Sequence, residues 1–287
     1  MIATPYTPKG FRWLRRLRTR VRPWGPLDTL GFVLGFCWQV LSSIPFALQH
    51  YRSQTMMLIT DMTWGRGSIV VGGGTAAVMG IMGAAVGAST GIEAYSALNL
   101  VSLGQVTGVI SAFANTRELA PIAAGVGFAA QAGCRMTAEI GSMRISEEID
   151  AIESLGVRSV AFVVATRVIA GLVAIVPTFL IALILSYFAC AVIVVRLHDQ
   201  PAGVYDHYFT MFVVSWDVVA AVVKVAVFAV AVIVIHCYQG FFATGGPEGV
   251  GIASGRAIRA SLVAIIALNM VMTLALWGFT SPVRFAG

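Results

Sequence analysis

Charged side chains are scarce in this chain, since Asp, Glu, Lys and Arg make up only 11% of its 287 residues while 58% are hydrophobic. Soluble domains carry roughly 25% charged residues. The composition therefore argues against a water-soluble fold, because several long apolar runs cannot all be hidden inside a core of this size. A single membrane-embedded body is the better interpretation.

Lysine is the scarcest of the four charged residues, and this excludes one class of function. The chain contains only Lys9 and Lys224. A nucleotide-binding P-loop needs glycine directly before its lysine, but Pro8 precedes Lys9 and Val223 precedes Lys224. The chain is therefore not expected to be an enzyme, and energy for any active transport would come from another protein or from an ion gradient.

Cysteine is also rare, and no C-x-x-C pair occurs. Cys37, Cys134, Cys190 and Cys237 lie far apart in the sequence. This spacing predicts neither a disulfide framework nor a metal site. The four residues are interpreted as small core side chains.

The formal net charge of +6 does not indicate a nucleic-acid partner, because the basic residues are concentrated at one place. Seven of the 19 lie near the start of the chain, at Lys9, Arg12, Arg15, Arg16, Arg18, Arg20 and Arg22. A basic block just before an apolar segment is typical of a cytoplasmic anchor beside anionic lipid headgroups. Residues 1–26 are therefore predicted to form a basic cytoplasmic arm.

Long apolar runs predict the fold, since about 20 such residues cross a bilayer as a helix. Five runs qualify, at residues 67–90, 104–134, 160–195, 210–238 and 258–280. The earlier region 27–58 contains Pro45 and several polar residues, and is predicted to be an interfacial or elbow helix. The expected fold is an all-α integral membrane protein with this interfacial helix, five spans and a membrane domain over residues 59–287.

Basic residues in the connections predict the orientation. The first connection, Ser89–Leu103, has no Lys or Arg, which suits the outside, whereas the second carries Arg135, Arg144 and Arg158. With a cytoplasmic N-terminus, five spans leave the C-terminus outside.

An acidic segment lies between the second and third predicted spans. Residues Ala138–Leu155 hold five of the chain's 13 acidic residues, at Glu139, Glu147, Glu148, Asp150 and Glu153. Isoleucines at 145, 149 and 152 would line one face of a helix, so a single amphipathic helix is predicted. A solvated surface helix is one interpretation. A protein partner is favoured, because acidic residues are repelled by anionic headgroups.

Four charged residues lie within apolar runs, where each needs a partner. Arg117 and Glu118 are adjacent, while Asp217 and Lys224 are seven residues apart on one helix face. That spacing separates the last two by roughly 10 Å, too far for a direct ion pair. Arg117, Glu118 or a ligand headgroup could supply the partners. Alternatively, Arg117 and Glu118 could lie near the interface and reach water.

Glycine is abundant in two places. The first two spans are rich in it, which favours close packing within the chain, with a dimer interface as the weaker alternative. The last inner loop, Tyr238–Gly251, holds the residues Gly245, Gly246, Glu248, Gly249 and Gly251. Such density predicts an irregular backbone, either as a plain connector or as a cytoplasmic docking surface.

The run Arg117–Val157, RELAPIAAGVGFAAQAGCRMTAEIGSMRISEEIDAIESLGV, resembles the signature of the MlaE/YrbE permeases, the membrane subunits of Mce-type ABC lipid transporters. The segment Asp217-x6-Lys224-x3-Phe228 and the glycine-rich loop are similar to further parts of that family. The chain departs from the pattern at Gln131–Arg135, which puts the role of Arg135 in doubt. The basic arm is similar to YrbE subunits of actinobacteria.

The resemblance implies that Ala138–Leu155 is the coupling helix, seated in a groove of a separate ABC ATPase that binds ATP and magnesium. The residues expected to couple are Glu139, Gly141, Met143, Arg144, Glu147, Glu148, Asp150 and Glu153. It also implies a lipid cavity near Arg117, Glu118, Asp217 and Lys224, with fatty acids or sterols as cargo.

The partners implied by the resemblance are a second, paralogous permease and Mce proteins outside the bacterial inner membrane. Two other functions stay open from the residues themselves. One is a gradient-driven secondary transporter with Asp217 and Glu118 as proton carriers, and the other is a non-transporting scaffold for envelope proteins.

Overall fold

Helices form nearly all of the structure, a computed structural model that describes residues 25–64 and 74–278. In chain order they are α1 (Gly25–His50), α2 (Arg52–Trp64), α3 (Thr75–Asn99), α4 (Thr107–Ile110), α5 (Ala120–Phe128), α6 (Cys134–Ile145), α7 (Glu148–Ser154), α8 (Thr166–Val192), α9 (Ala202–Phe212), α10 (Ser215–Phe241) and α11 (Gly246–Trp277). No strand occurs in these two ranges, so the all-α prediction is confirmed.

Four helical stretches of the described residues are long and apolar enough to cross a membrane. They are Thr75–Asn99, Val160–Leu197, Ser215–Phe241 and Gly246–Trp277. These stretches correspond to the first, third, fourth and fifth predicted spans and confirm an integral membrane protein. Their bounds differ from the predicted ones, since the last helix begins at Gly246 rather than at residue 258.

The second predicted span lies within an unbroken helical run from Gly104 to Ile145. Its α-helical parts, α4, α5 and α6, alternate with π-helical stretches at Ser111–Leu119 and Ala129–Gly133. A π-helix inserts an extra residue in a turn, and such turns are frequent at functional sites. This run is less apolar than the four stretches above because it carries Arg117 and Glu118, and its crossing of the membrane stays a prediction.

Close packing between α3 and α8 depends on glycine. A Cβ atom on Gly83 would lie 2.2 Å from the carbonyl oxygen of Ala182, and one on Gly87 would lie 2.0 Å from that of Ser186. The two backbones are therefore in direct contact, as small residues permit in membrane helices. These glycines pack within the chain, which is the favoured of the two interpretations above.

The helix α10 is central to the bundle. Its residues Phe228, Val232 and Ile233 are fully buried, and the helix as a whole contacts α5, α6, α8 and α11. By contrast, α11 exposes a long apolar face that includes Val263 and Met270. Exposed apolar faces are expected on helices that meet a bilayer, where the outer surface needs no polar coat.

The prediction of one helix over Ala138–Leu155 is wrong. The helix α6 ends at Ile145, Glu147 adopts a left-handed conformation with φ of 61°, and α7 begins at Glu148. The reason is that α6 continues the helical run from the bundle, so the chain must turn before a second short helix can form. The isoleucines consequently share no single face, since Ile149 is buried whereas Ile145 is 39% exposed.

The glycine-rich segment is also more regular than predicted. Only residues 242–245 separate α10 from α11, and Gly249 and Gly251 lie inside α11. Gly245 and Gly246 have φ angles of 94° and 70°, which favour glycine, and they form the turn into α11. Pro247 in the first turn suits a helix start.

The predicted interfacial region forms two helices rather than one. The helices α1 and α2 meet at Tyr51; α1 packs on residues 160–165, and α2 packs on α8. The Arg158 guanidinium lies 4.7 Å from the centroid of the Phe46 ring in α1. Residues 1–24 of the basic arm and the start of the first span lie outside the described residues.

The α3–α8 contact generates a stability prediction. Replacing Gly87 by Ala forces the two backbones apart and is expected to lower the thermal unfolding midpoint by roughly 5 °C or more. Gly255→Ala in α11 is the matched control, because a Cβ atom there has no neighbour within 4 Å. Equal midpoints for the two variants in detergent would contradict the packing.

Candidate functional site

Two ion pairs connect the π-helical stretch Ser111–Leu119 to α10. In the first, Arg117 donates to Oδ2 of Asp217 from Nε at 2.9 Å and from Nη2 at 2.7 Å. The other carboxylate oxygen of Asp217 accepts the Nε1–H of Trp277 at 2.8 Å. The Arg117 guanidinium also lies 4.5 Å above the centroid of the Phe113 ring. The guanidinium is therefore held between the Asp217 carboxylate and the Phe113 ring.

The second ion pair joins Lys224 to Glu118 at 3.1 Å between Nζ and Oε1. Lys224 also donates to the carbonyl oxygen of Arg117 at 2.7 Å and to the hydroxyl oxygen of Thr273 at 2.7 Å. Glu118 accepts two further hydrogen bonds, from Thr273 at Oε1 and from Asn269 at Oε2, each at 2.6 Å. The lysine thus uses all three of its ammonium hydrogens.

These contacts agree with the partners that sequence spacing suggested for Asp217 and Lys224. The two residues do not pair with each other; each instead meets its partner on the neighbouring helical run. Two cations and two anions leave no formal net charge. Buried charges in a bilayer persist when they are paired and hydrogen-bonded in this way.

An apolar groove of about 350 Å³ ends at this network. Its lining residues are Val109, Ile110, Phe113, Ala114, Arg117, Glu118, Thr273 and Trp277. The exposed fractions of the side chains differ sharply: 16% for Arg117 and 33% for Glu118, but 5% for Asp217 and 0% for Lys224. Arg117 and Glu118 therefore face the groove, while Asp217 and Lys224 lie behind them.

Three residues of this site were missed by the sequence reasoning. Asn269, Thr273 and Trp277 follow one another at intervals of four on α11, which places them on one helix face. A polar residue repeated at that interval within an apolar helix is a signal that could have identified them. Phe113 likewise precedes Arg117 by four residues, and its ring contacts the Arg117 guanidinium.

A second charged cluster lies where α2, α6 and α8 meet. Arg135 forms ion pairs with Asp61 of α2 and, at 2.9 Å, with Glu139 one turn along α6. Glu139 also meets Arg167 of α8 at 3.3 Å. Glu139 is thus held by two arginines of its own chain. The cluster gives Arg135 a structural role in this chain, where the sequence departs from the family pattern.

The other predicted coupling residues lie in different surroundings. Glu147 and Glu148 are exposed, and Asp150 is bound by Arg144 at 2.6 Å. Glu153 is exposed and accepts a hydrogen bond from Ser159 at 2.5 Å. Met143 is half-buried and packs against the core.

Gly141 joins the acidic segment to the glycine-rich one. It is buried, and a Cβ atom on it would lie 2.8 Å from a methyl carbon of Val250 in α11. Contact at this distance places the end of α6 directly on the first turns of α11. The two predicted docking segments therefore lie side by side at one end of the bundle.

Two negative findings complete the site. Within residues 25–64 and 74–278, no group of three or more His, Cys, Asp or Glu side chains could hold a metal ion.

The stretch Gly87–Gly91 has the sequence pattern of a hydrolase nucleophile elbow, G-x-S-x-G. It lies inside α3, packed on α8, rather than in the strand-to-helix turn that such an elbow requires.

The Arg117–Asp217 pair can be tested by a double-mutant cycle. Asp217→Leu or Arg117→Met alone leaves one charge without its partner and is expected to cost about 3–5 kcal/mol, whereas the double variant should recover most of that loss. Arg144→Met, which breaks an exposed pair, should change the unfolding midpoint little. Additive losses in the cycle would show that the two residues do not act as a pair.

Comparison with known proteins identifies the family. The permease MlaE family model matches residues 64–275. A probable ABC transporter permease protein of Rickettsia bellii is 28% identical over 187 residues, covering 65% of this chain and 72% of the relative. One from Synechocystis is 35% identical over 169 residues, covering 58% and 64%. The intermembrane phospholipid transport system permease protein MlaE of Haemophilus influenzae is 25% identical over 199 residues, covering 69% and 76%. This chain is a multi-pass membrane protein that belongs to the MlaE family of ABC transporter permeases.

Proposed function

We propose that this chain is the membrane permease subunit of an Mce-type ABC lipid transporter, which moves lipids across the cell envelope with ATP hydrolysed by a separate ATPase. The observation that carries the proposal is the apolar groove that ends at Arg117 and Glu118. Family membership supports the transport class, and the groove supports the class of cargo.

A lipid suits this groove because the groove is apolar along one part and polar at one end. Phe113, Ile110 and Val109 offer an apolar wall for a hydrocarbon chain or ring system. Arg117 and Glu118 offer hydrogen-bond partners for a polar head. Ligand sites commonly combine a mostly apolar lining with a few polar groups that orient the ligand. Phospholipids, fatty acids and sterols all have this form.

The acidic segment supports a role in coupling to an ATPase. Glu147 and Glu148 are exposed at the end of the bundle where α6 meets α11. Acidic side chains near anionic headgroups are unfavourable unless a basic surface faces them. We propose that the ATPase supplies that surface and binds ATP and magnesium, so that the permease itself needs no cofactor.

The remaining parts of the proposal concern location and assembly. A chain with a basic N-terminal arm would lie in the bacterial inner membrane with its N-terminus in the cytoplasm and its C-terminus outside. A second, paralogous permease would complete the lipid pathway, and Mce proteins would continue it outside the membrane.

The contacts of Asp217 and Glu118 weigh against a proton-coupled secondary transporter. A proton carrier must exchange its proton with water, but Asp217 is 5% exposed and is held by Arg117 and Trp277. Glu118 accepts hydrogen bonds from Lys224, Thr273 and Asn269. Donors from the same chain therefore occupy both carboxylates.

The groove can be tested by filling it. Ala114→Trp should reduce ATP-dependent transfer of a fluorescent fatty acid by the reconstituted complex about tenfold or more, because the added ring occupies the space of the acyl chain. Ile184→Trp, at a 63% exposed position of α8, is the control. Transfer that persists without ATP and collapses with an uncoupler would instead support the gradient-driven transporter.

The coupling surface can be tested by charge reversal. Glu147→Lys together with Glu148→Lys should lower recovery of the ATPase with the tagged permease several-fold, since both side chains are exposed and add no internal strain. Glu93→Lys is the control, because Glu93 is also exposed but lies near the C-terminal end of α3, outside the acidic segment. Unchanged ATPase recovery from the double variant would remove the acidic segment from the interface.

A further inference from the structure

Pro121 interrupts the backbone hydrogen bonding directly after the two charged residues of the groove. In the π-helical stretch before it, the amide of Ala120 donates to the carbonyl oxygen of Asn115, five residues back. Pro121 has no amide hydrogen. It can donate neither to Arg117, four residues upstream, nor to Thr116, five residues upstream. A helical carbonyl in this turn therefore loses its ordinary partner.

An unpaired carbonyl is costly at membrane depth, because no water is present to satisfy it. The Lys224 ammonium lies 2.7 Å from the carbonyl oxygen of Arg117 and donates to it from the neighbouring helix α10. A side chain of another helix thus supplies the donor that Pro121 cannot. Neighbouring side chains are a known means by which membrane helices tolerate proline.

The other contacts of Lys224 hold the same turn in place. Its remaining hydrogens are donated to Glu118 and to Thr273, and Thr273 in turn donates to Glu118. The lysine is 0% exposed and does not line the groove. No hydrogen of the ammonium is left for a ligand.

We infer that Lys224 is a positioning residue whose ammonium replaces the missing amide hydrogen of Pro121 and so holds Arg117 and Glu118 against the groove. Asp217 performs the corresponding task for the Arg117 guanidinium. The inference depends on the proposed function only for the statement that the groove binds lipid. The contact between Lys224 and the Arg117 carbonyl can be tested without lipid or nucleotide.

The test is a cycle that combines Lys224→Met with Pro121→Ala, which restores an amide hydrogen at position 121. Glu118 is kept unchanged, because replacing it would leave Lys224 as a buried cation without its ion-pair partner. The cost of leaving Glu118 unpaired is the same with proline or alanine at position 121, so it cancels in the cycle. Two quantities are measured on the purified full chain with its partners: the thermal unfolding midpoint and the hydrogen exchange of amides in residues 112–123.

With Pro121 in place, Lys224→Met is expected to lower the midpoint by roughly 5 °C and to speed amide exchange in residues 112–123 at least about tenfold. Adding Pro121→Ala should recover at least half of both losses. The matched control is Pro177→Ala in α8, a proline inside another helix of the same bundle, which should recover neither.

Two results would overturn the inference. One is a loss on Lys224→Met that is equal with proline or alanine at position 121. The other is equal recovery from Pro121→Ala and Pro177→Ala, which would mean that any proline removal stabilises the chain. Failure of lipid transfer with intact rescue by Pro121→Ala would count against the proposed function and leave the positioning role standing.

Discussion

The pairing of Arg117 with Asp217 and of Lys224 with Glu118 is the constraint on which the rest of the site depends. Four charged side chains within an apolar bundle can be tolerated only if each finds a partner of opposite charge. Because the partners lie on different helices, the two pairs also fix how the helical run from Gly104 to Ile145 sits against α10. The two pairs thus hold the helical run that lines most of the groove against α10.

The four charged residues of the two ion pairs differ in side-chain exposure, and this difference separates their roles. Arg117 and Glu118 reach the groove, whereas Asp217 and Lys224 are almost completely buried behind them. The buried members orient the accessible ones, and α11 adds Asn269, Thr273 and Trp277 to the same network. A rigid polar end of this kind can orient a ligand without reorganising when the ligand arrives.

Close packing at one side of the bundle complements the ion pairs. The contact of Gly83 and Gly87 with the backbone of α8 joins α3 and α8 without large side chains between them. Glu139 joins α6 to α8 through Arg167 and, through Arg135, is linked to Asp61 of α2. These ion pairs connect the start of the acidic segment to α2 and to α8.

Composition predicted the helical membrane fold. The fixed rise of a helix excluded a direct pair between Asp217 and Lys224 and left Arg117, Glu118 or a ligand headgroup as candidate partners. The sequence did not predict the break at Glu147 or the helical start at Gly246. Those features depend on where the chain leaves the bundle, and the spacing of apolar residues along the sequence does not indicate that position. The sequence grouped Lys224 with the residues of the cavity, since its burial behind Arg117 arises only from tertiary packing.

Occupancy of the groove by lipid during transport can be measured by site-specific photocrosslinking. A photoreactive amino acid would replace Ile110 in the groove and, as reference, Ile184 on the exposed face of α8. Crosslinking to lipid at position 110 should change several-fold when nucleotide is trapped on the ATPase, while crosslinking at position 184 should stay the same. If lipid does not crosslink at position 110, or crosslinks there without any response to nucleotide, then the groove is not the path of the lipid.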